Sequence, residues 1–426
     1  MEADVPEYPS RVISLAAALS VLSKIIDGRV LGPGNCKTSL YIWLVAETGA
    51  GKQHGLNCIS FFLRTVSLQA LVVASGLASV QAIEEIILGT EKLPAIPNAL
   101  AVIDEIGSWL ARITSGQAGN VSEIPGLLCT LWGWTPDVPW FGTKSKGKEM
   151  RAAYDVAFSV FGASTQASLI AALKLKHVSA GFISRNLYFN AGTGAEEPVD
   201  AKYDWQCIPA WLEQALKEIF WKLPKVPGPN DPMKLVLATG VVIRDYFRLG
   251  WGKGAKELHR EFVVKVRAMP VGMEREVWIR APEMALRIAT VVAVFRGSMT
   301  VDVEDLEWSM NLVKWSTRSF HSDLEENMSE DVLIGDLARL LRKEWMARKI
   351  MSQGEVHRFG ERRSGEKDFS KIDKATNHLV ICGDIFPFLP PVTPGKPTLW
   401  WRWHTVSKED ALEFWVAKTA KRAMGK

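Results

Sequence analysis

The sequence predicts an α/β fold of the doubly wound, parallel-sheet kind, followed by a mostly helical stretch and a separate basic module. Three observations carry this. Short apolar runs alternate with helical patterns over the first 200 residues, and the runs end in polar residues. Beyond about residue 200 that alternation gives way to helical periodicity. The last 96 residues hold 18 Lys and Arg against 12 Asp and Glu, a net +6, whereas the first 330 hold 33 against 35, a net −2. A length of 426 residues suits two or three domains at roughly 100–200 residues each, and the changes of pattern divide it into residues 1–200, 201–325 and 326–426.

Leu15–Ile26 has an amphipathic helical pattern, stopped by Asp27-Gly28. Leu40–Val45 (LYIWLV) is a continuous apolar run with the length of a buried parallel strand. It enters the glycine turn AETGAGK and then a helix through about Thr65. Leu71–Ala74 is a second run, and Ser79 is placed to cap the helix VQAIEEIIL. Ala99–Ile103 is a third strand ending in Asp104-Glu105, Val156–Ala163 a fourth, and Asn186–Phe189 a fifth. The turn-rich segment 224–232 (PKVPGPNDP) then leads to a helical region over Leu235–Phe320, and acidic HSDLEENMSED, from His321, leads out of it.

Composition excludes several classes. The whole-chain charge of +4 is too small for a histone-like binder. Cys36, Cys58, Cys129, Cys207 and Cys382 are odd in number and widely spaced, unlike a zinc ribbon or a secreted disulfide framework; they read as buried thiols of a reducing compartment. The N-terminus MEADVPEYPS lacks the basic and apolar segments of a signal peptide. The longest uncharged stretch, Thr65–Ile83, is broken by Ser, Gln and Gly and does not read as a membrane span. The expectation is a soluble, cytoplasmic protein.

The chemistry-bearing residues fall at strand ends. Ala46, Glu47, Thr48, Gly49, Ala50, Gly51, Lys52 and Gln53 form a turn between a strand and a helix, the context of a phosphate-binding P-loop. The glycines permit a tight turn, and Lys52 would reach the β- and γ-phosphates of ATP. Two positions depart from the usual pattern: Ala46 stands where a first glycine is common, and Gln53 where Ser or Thr would hold Mg2+. Asp104 lies 52 residues beyond Lys52 and Glu105 follows it, at the end of an apolar strand. Asp104 would hold Mg2+ through water and Glu105 would polarise the attacking water. Thr165 or Gln166, after the fourth strand, would sit beside the γ-phosphate, and a helix cap is an equal alternative for either. Arg185, just before the fifth strand, suits a finger inserted at a neighbouring subunit's nucleotide; a surface ion pair is the plain alternative.

LYIWLVAETGAGKQ, ALAVIDEIGSWL, FGASTQASL, SAGFISRNLYF and RAPEMALRIATVVAVF occur in that order over roughly residues 10–325. Together they resemble the helicase-like P-loop ATPases of bacteriophages and mobile elements, relatives of the MCM and viral superfamily 3 (AAA+) replicative helicases. The resemblance implies an α/β P-loop NTPase (AAA+/RecA-like) core with an α-helical lid. It further implies a homo-hexameric ring hydrolysing ATP with Mg2+ to move on DNA during replication. Lys52, Asp104, Glu105 and Arg185 match the family's motifs, and Arg280 or Arg287, flanking the lid helix, would be a second sensor for the nucleotide. That family often lacks Ser or Thr after the P-loop lysine, which makes Gln53 less anomalous.

DNA contacts are expected in two places. The insertion Ser108–Asp155 holds Lys144, Lys146, Lys148 and Arg151 after Trp140 and Phe141, a pattern for a hairpin tip that tracks single-stranded phosphates in a central channel. The terminal module reads as three helices and then a hairpin around Pro394-Gly395, the order of a winged helix. Lys371, Lys374 and His378 would lie on its third helix and Lys396 in the wing. It would bind duplex DNA; the equal alternative is a winged helix that binds a protein or merely closes the ring. The leading expectation is a ring-forming replicative helicase, with a separate primase or polymerase as a further partner. The alternative is a nucleotide-dependent initiator or loader that binds DNA without unwinding; a scaffold with a degraded site is the third.

Overall fold

The computed structural model describes residues 10–73, 77–114, 122–134, 138–142, 152–173, 181–192, 209–223, 246–270, 272–327, 332–364, 369–381, 385–388 and 400–424. The chain forms two compact units, one of residues 1–268 with 277–320 and one of residues 269–276 with 321–426.

The first unit is built on a five-stranded, all-parallel sheet. Its strands are β1 (Tyr41–Val45), β2 (Val72–Val73), β3 (Leu100–Ile103), β4 (Ser159–Ser164) and β5 (Asn186–Asn190). They lie in the order β2-β3-β4-β1-β5, consistent with a Rossmann-like or P-loop-like core. All five residues of β1 are buried, as a strand covered on both faces requires. Helices α1 (Arg11–Ile26), α2 (Lys52–Thr65), α3 (Val80–Leu88), α4 (Ile106–Thr114), α5 (Ile124–Gly133) and α6 (Gln166–Ala172) connect or cover the strands. Ser10 and Ser79 cap α1 and α3 by accepting from the N–H groups of Ile13 and Ala82. Gly162 in β4 is required by close approach, because a methyl there would collide with Ile106 of α4.

At the N-terminal edge of the sheet, α1 is fastened by buried charge. Lys24 and Asp27 pair at 3.1 Å with both side chains fully enclosed. Asp27 also accepts from Thr38, Ser39 and Ser159 hydroxyls, and Lys24 donates to the carbonyls of Ala99 and Ala157. These bonds tie one helix end to the starts of three strands.

Several boundaries differ from the sequence expectation. Strand β4 begins at Ser159; Val156, Ala157 and Phe158 are buried but only lead into it. The segment from Ser108, expected as insertion, starts inside α4, and α5 follows before the strands Trp140–Phe141 and Ala152–Ala153 pair antiparallel. Lys144, Lys146, Lys148 and Arg151 lie outside the described residues. After α7 (Ala210–Lys222) come α8 (Ala255–Arg267), α9 (Met273–Trp278), α10 (Ala281–Phe295) and α11 (Val303–Asn327). The acidic segment from His321, expected to exit, continues α11 to Asn327. Cys36, Cys58 and Cys129 are free thiols, half-buried rather than buried; Cys207 and Cys382 lie outside the described residues.

The second unit contains α12 (Val332–Arg348), α13 (Gln353–Ser364), α14 (Phe369–Ile381) and α15 (Lys408–Met424). A three-stranded antiparallel sheet joins Ile350–Ser352, Trp400–Trp403 and Ile385–Phe388, with Trp400–Trp403 central. Its core holds Leu341, Trp345, Ile372, Leu379, Trp400 and Trp403. Lys371 and Lys374 fall on α14, as does His378, with their side chains undescribed; Lys396 lies outside the described residues. No helix among the described residues is long and apolar enough to cross a membrane.

Candidate functional site

Register determines what meets at the C-terminal edge of the sheet. Val45 of β1 is level with Ser164 of β4, and Ile103 of β3 is level with Gly162. The turn after β1, the polar end of β4 and the acidic pair after β3 therefore open on the same edge. Two strand spacings, about 10 Å, separate β1 from β3. Backbone bonds hold the loops together: Ala46 N–H donates to Ser164 O (3.2 Å) and Glu47 N–H to Gly192 O (3.0 Å). Gly107 N–H donates to the buried Ser164 hydroxyl at 3.3 Å, linking the acidic turn to the end of β4.

The glycine turn has the shape of an anion cradle. Gly49 and Gly51 have φ of 86° and 83°, the left-handed region that glycine enters without steric cost. No side chain caps the start of α2, so its positive end faces the turn. Lys52 curls into the hollow and donates to the carbonyls of Ala46 (2.8 Å) and Glu47 (3.0 Å). Thr48 and Ala50 complete the turn, Ala50 N–H donating to Glu47 O at 3.2 Å. Exposed Gln53 donates to Asn57 at 3.0 Å.

Asp104 and Glu105 are both exposed. Asp104 accepts from the N–H of Glu105 at 3.0 Å, and Glu105 has φ of 55°, a conformation that costs a non-glycine residue energy and often marks functional sites. Thr165 caps α6 by accepting from Ser168 N–H at 3.3 Å; its own proton stays available for donation. Gln166 is half-buried in the first turn of that helix.

The arginines assemble at the opposite edge. Arg185 immediately precedes β5. Arg287, only 2% exposed, donates to Ser39 O and Trp132 O, both at 2.8 Å, and to Glu283 at 3.0 Å. Ser39 precedes β1, so the seven residues from it to Ala46 place Arg287 about 23 Å from the cradle. Arg280 pairs with Glu283 at 3.3 Å. All three guanidinium groups approach the Trp132 ring, with centroid distances of 3.7 Å for Arg287, 5.4 Å for Arg185 and 6.0 Å for Arg280. The expected second sensor, Arg280 or Arg287, is thus not brought to Lys52 within one chain. A cavity of about 570 Å³ adjoins this cluster, lined by Lys37, Trp134, His259, Arg280, Glu283 and Arg287 among others.

Trp132, Glu283 and Lys37 were not singled out by the sequence. Glu283 had a local signal, since Arg280, Glu283 and Arg287 have helical i, i+3 and i+4 spacing; Trp132 and Lys37 had none. Lys37 donates to Leu131 O (2.9 Å) and Val156 O (3.2 Å), and burial, helped by neighbouring Arg287, pulls its ammonium down to about 7. The unfolded chain, with this lysine near 10.4, binds more protons between about pH 7 and 10.4, so this group makes stability rise with pH there. Lys37→Met is expected to remove up to about 1.4 kcal/mol per pH unit of that slope, measured by denaturation of the first unit between pH 7 and 9. An unchanged slope would contradict the assignment.

Among the described residues no group of three His, Cys, Asp or Glu side chains is gathered to hold a metal. Any Mg2+ would rely on phosphate oxygens and water beside Asp104 and Gln53. No protein-family model matches the chain, and no curated protein matches its sequence.

Proposed function

We propose that the chain is a P-loop ATPase of the AAA+/RecA-like kind that assembles as a ring and uses ATP hydrolysis to move on DNA, as a replicative helicase of a phage or mobile element does. The observation that carries the reading is the interposed strand β4. It sets Ser164 and Thr165 between the cradle after β1 and the acidic pair after β3, where an attacking water needs orientation. The cradle itself fits phosphate: it offers two positive-φ glycines, an uncapped helix start and an inward lysine. The second unit, with helices α12–α14 and an antiparallel three-stranded sheet, supports a winged-helix module.

In this reading Lys52 leaves its loop carbonyls to neutralise β- and γ-phosphate charge. Asp104 and Gln53 would hold Mg2+, which shields phosphate charge when bound. Glu105 accepts the proton of the attacking water, and Thr165 or Gln166 orients that water. Arg185 cannot serve its own chain's cradle, being at the other sheet edge; it suits stabilisation of charge at a neighbouring copy's nucleotide. Arg280 and Arg287 share that edge.

Lys52→Ala is expected to abolish ATP binding, and Glu105→Gln to retain binding while turnover falls about 10²–10⁴-fold. Both should lose unwinding of a forked duplex. The side chain of Gln53, engaged with Asn57, favours weaker metal binding, the mark of the scaffold reading; the initiator or loader is the second reading. Wild-type protein that binds DNA with ATP but melts no fork would establish that reading instead, and no ATPase activity even with DNA would remove the motor reading.

A further inference from the structure

Among the described residues the arginine cluster is unbalanced. Three guanidinium groups surround Trp132, while the carboxylate engaging them is that of Glu283, bonded to Arg280 and Arg287. Arg185 instead donates to the carbonyl of Gly181. Its guanidinium pKa is lowered, first by burial, with Arg280 among the charges that lower it further. Buried Nε atoms of Arg185 and Arg287, and Nε1 of Trp132, have no acceptor among the described residues. Buried donors are seldom left so.

Trp132 holds the cluster by two means. Its buried indole offers a π surface to cations that repel one another, and its carbonyl anchors Arg287. The helix carrying it is itself fixed, because Leu128 O accepts from Tyr41 and Leu131 O from Lys37. Arg287 is thereby immobilised, whereas Arg280 remains 41% exposed.

We propose that Trp132 is a positioning residue, whose ring fixes the Arg185 guanidinium in the orientation it presents to a neighbouring copy's nucleotide, with Arg280 held beside it. This rests on the ring-ATPase reading. Trp132 touches no phosphate itself; it acts by narrowing the directions available to Arg185. Misplacing a group that must meet a transferring phosphoryl by about 1 Å can cost around 100-fold in rate.

The test compares Trp132→Leu, Trp132→Phe and Arg185→Ala in the full chain, measuring kcat, KM for ATP, binding of a fluorescent ATP analogue and thermal stability. Trp132→Leu is expected to lower kcat about 30–100-fold while analogue affinity stays within about twofold, since the cradle lies at the other sheet edge. Trp132→Phe, which retains a π face, should recover most of kcat. A purely packing role predicts instead that Leu and Phe lose stability and nucleotide affinity without rescue of kcat, and that result overturns the proposal. Arg185→Ala losing turnover while Trp132→Leu keeps it overturns the positioning role alone. Trp132→Leu losing turnover while Arg185→Ala keeps it overturns both that role and the arginine assignment.

Discussion

Asp27→Ala is expected to destabilise the first unit by about 3–5 kcal/mol, because it leaves the ammonium of Lys24 buried without a counter-charge. Lys24 has no exposed side-chain surface, and burial already lowers its pKa despite Asp27. The loss also frees three hydroxyls, of Thr38, Ser39 and Ser159, from their shared acceptor. A change of this size is a large fraction of a typical domain's roughly 5–15 kcal/mol. The double variant Lys24→Met/Asp27→Leu should recover much of it, since replacing both partners of a buried pair by apolar groups is often neutral. Chemical denaturation of the wild type, Lys24→Met, Asp27→Leu and the double variant closes a cycle that measures the coupling. A loss under about 1 kcal/mol for Asp27→Ala, far below what a stranded buried charge costs, would mean that the ammonium reaches water and that the pair does not fasten α1.

That buried pair also shows where sequence reading stops. The helix itself was legible from the apolar spacing of Leu15–Ile26, but Lys24 and Asp27 resemble the polar end of any surface helix. Their acceptors and donors come from residues 38, 39, 99, 157 and 159, and no local pattern announces them. Arg287 is the same case, bonded to residues 248 and 155 positions away. The strands were legible for the converse reason: a parallel strand buried on both faces carries its signal in its own residues, as LYIWLV does. Even there a boundary slipped at Val156–Phe158, which are apolar and buried yet outside the ladder. Burial writes hydrophobicity into sequence, whereas pairing depends on a neighbour.

The candidate site divides along the same line. The turn from Ala46 to Gln53 is one contiguous segment whose glycines and lysine carry the chemistry together. Asp104 and Glu105 were readable because a strand end in a wound sheet has a known outlet. The edge of Arg185 was legible, because the residue stands just before a strand; that of Arg280 and Arg287 was not, since it depends on how the helix around 281–295 packs. Arg185 precedes its strand, and that order places it away from Lys52.

Arg185→Ala is expected to reduce ATP turnover about 10³–10⁵-fold, the range found where such a residue stabilises charge on a transferring phosphoryl group. KM for ATP and analogue binding should barely move, because the cradle of the same chain is intact and more than a strand's length away. The decisive measurement mixes two inactive proteins. Arg185→Ala has a complete cradle and lacks the finger; Glu105→Gln has the finger and lacks the water-polarising carboxylate. If the arginine acts across subunits, mixed assemblies contain some interfaces where a complete cradle meets a complete finger, and activity returns in proportion to their number. If Arg185 acts within its own chain, every subunit carries one defect and mixing restores nothing. Turnover unaffected by Arg185→Ala would remove the finger altogether. Recovery on mixing would also explain why a cation-rich edge persists opposite the cradle: each edge is half of a site, and a second copy completes it.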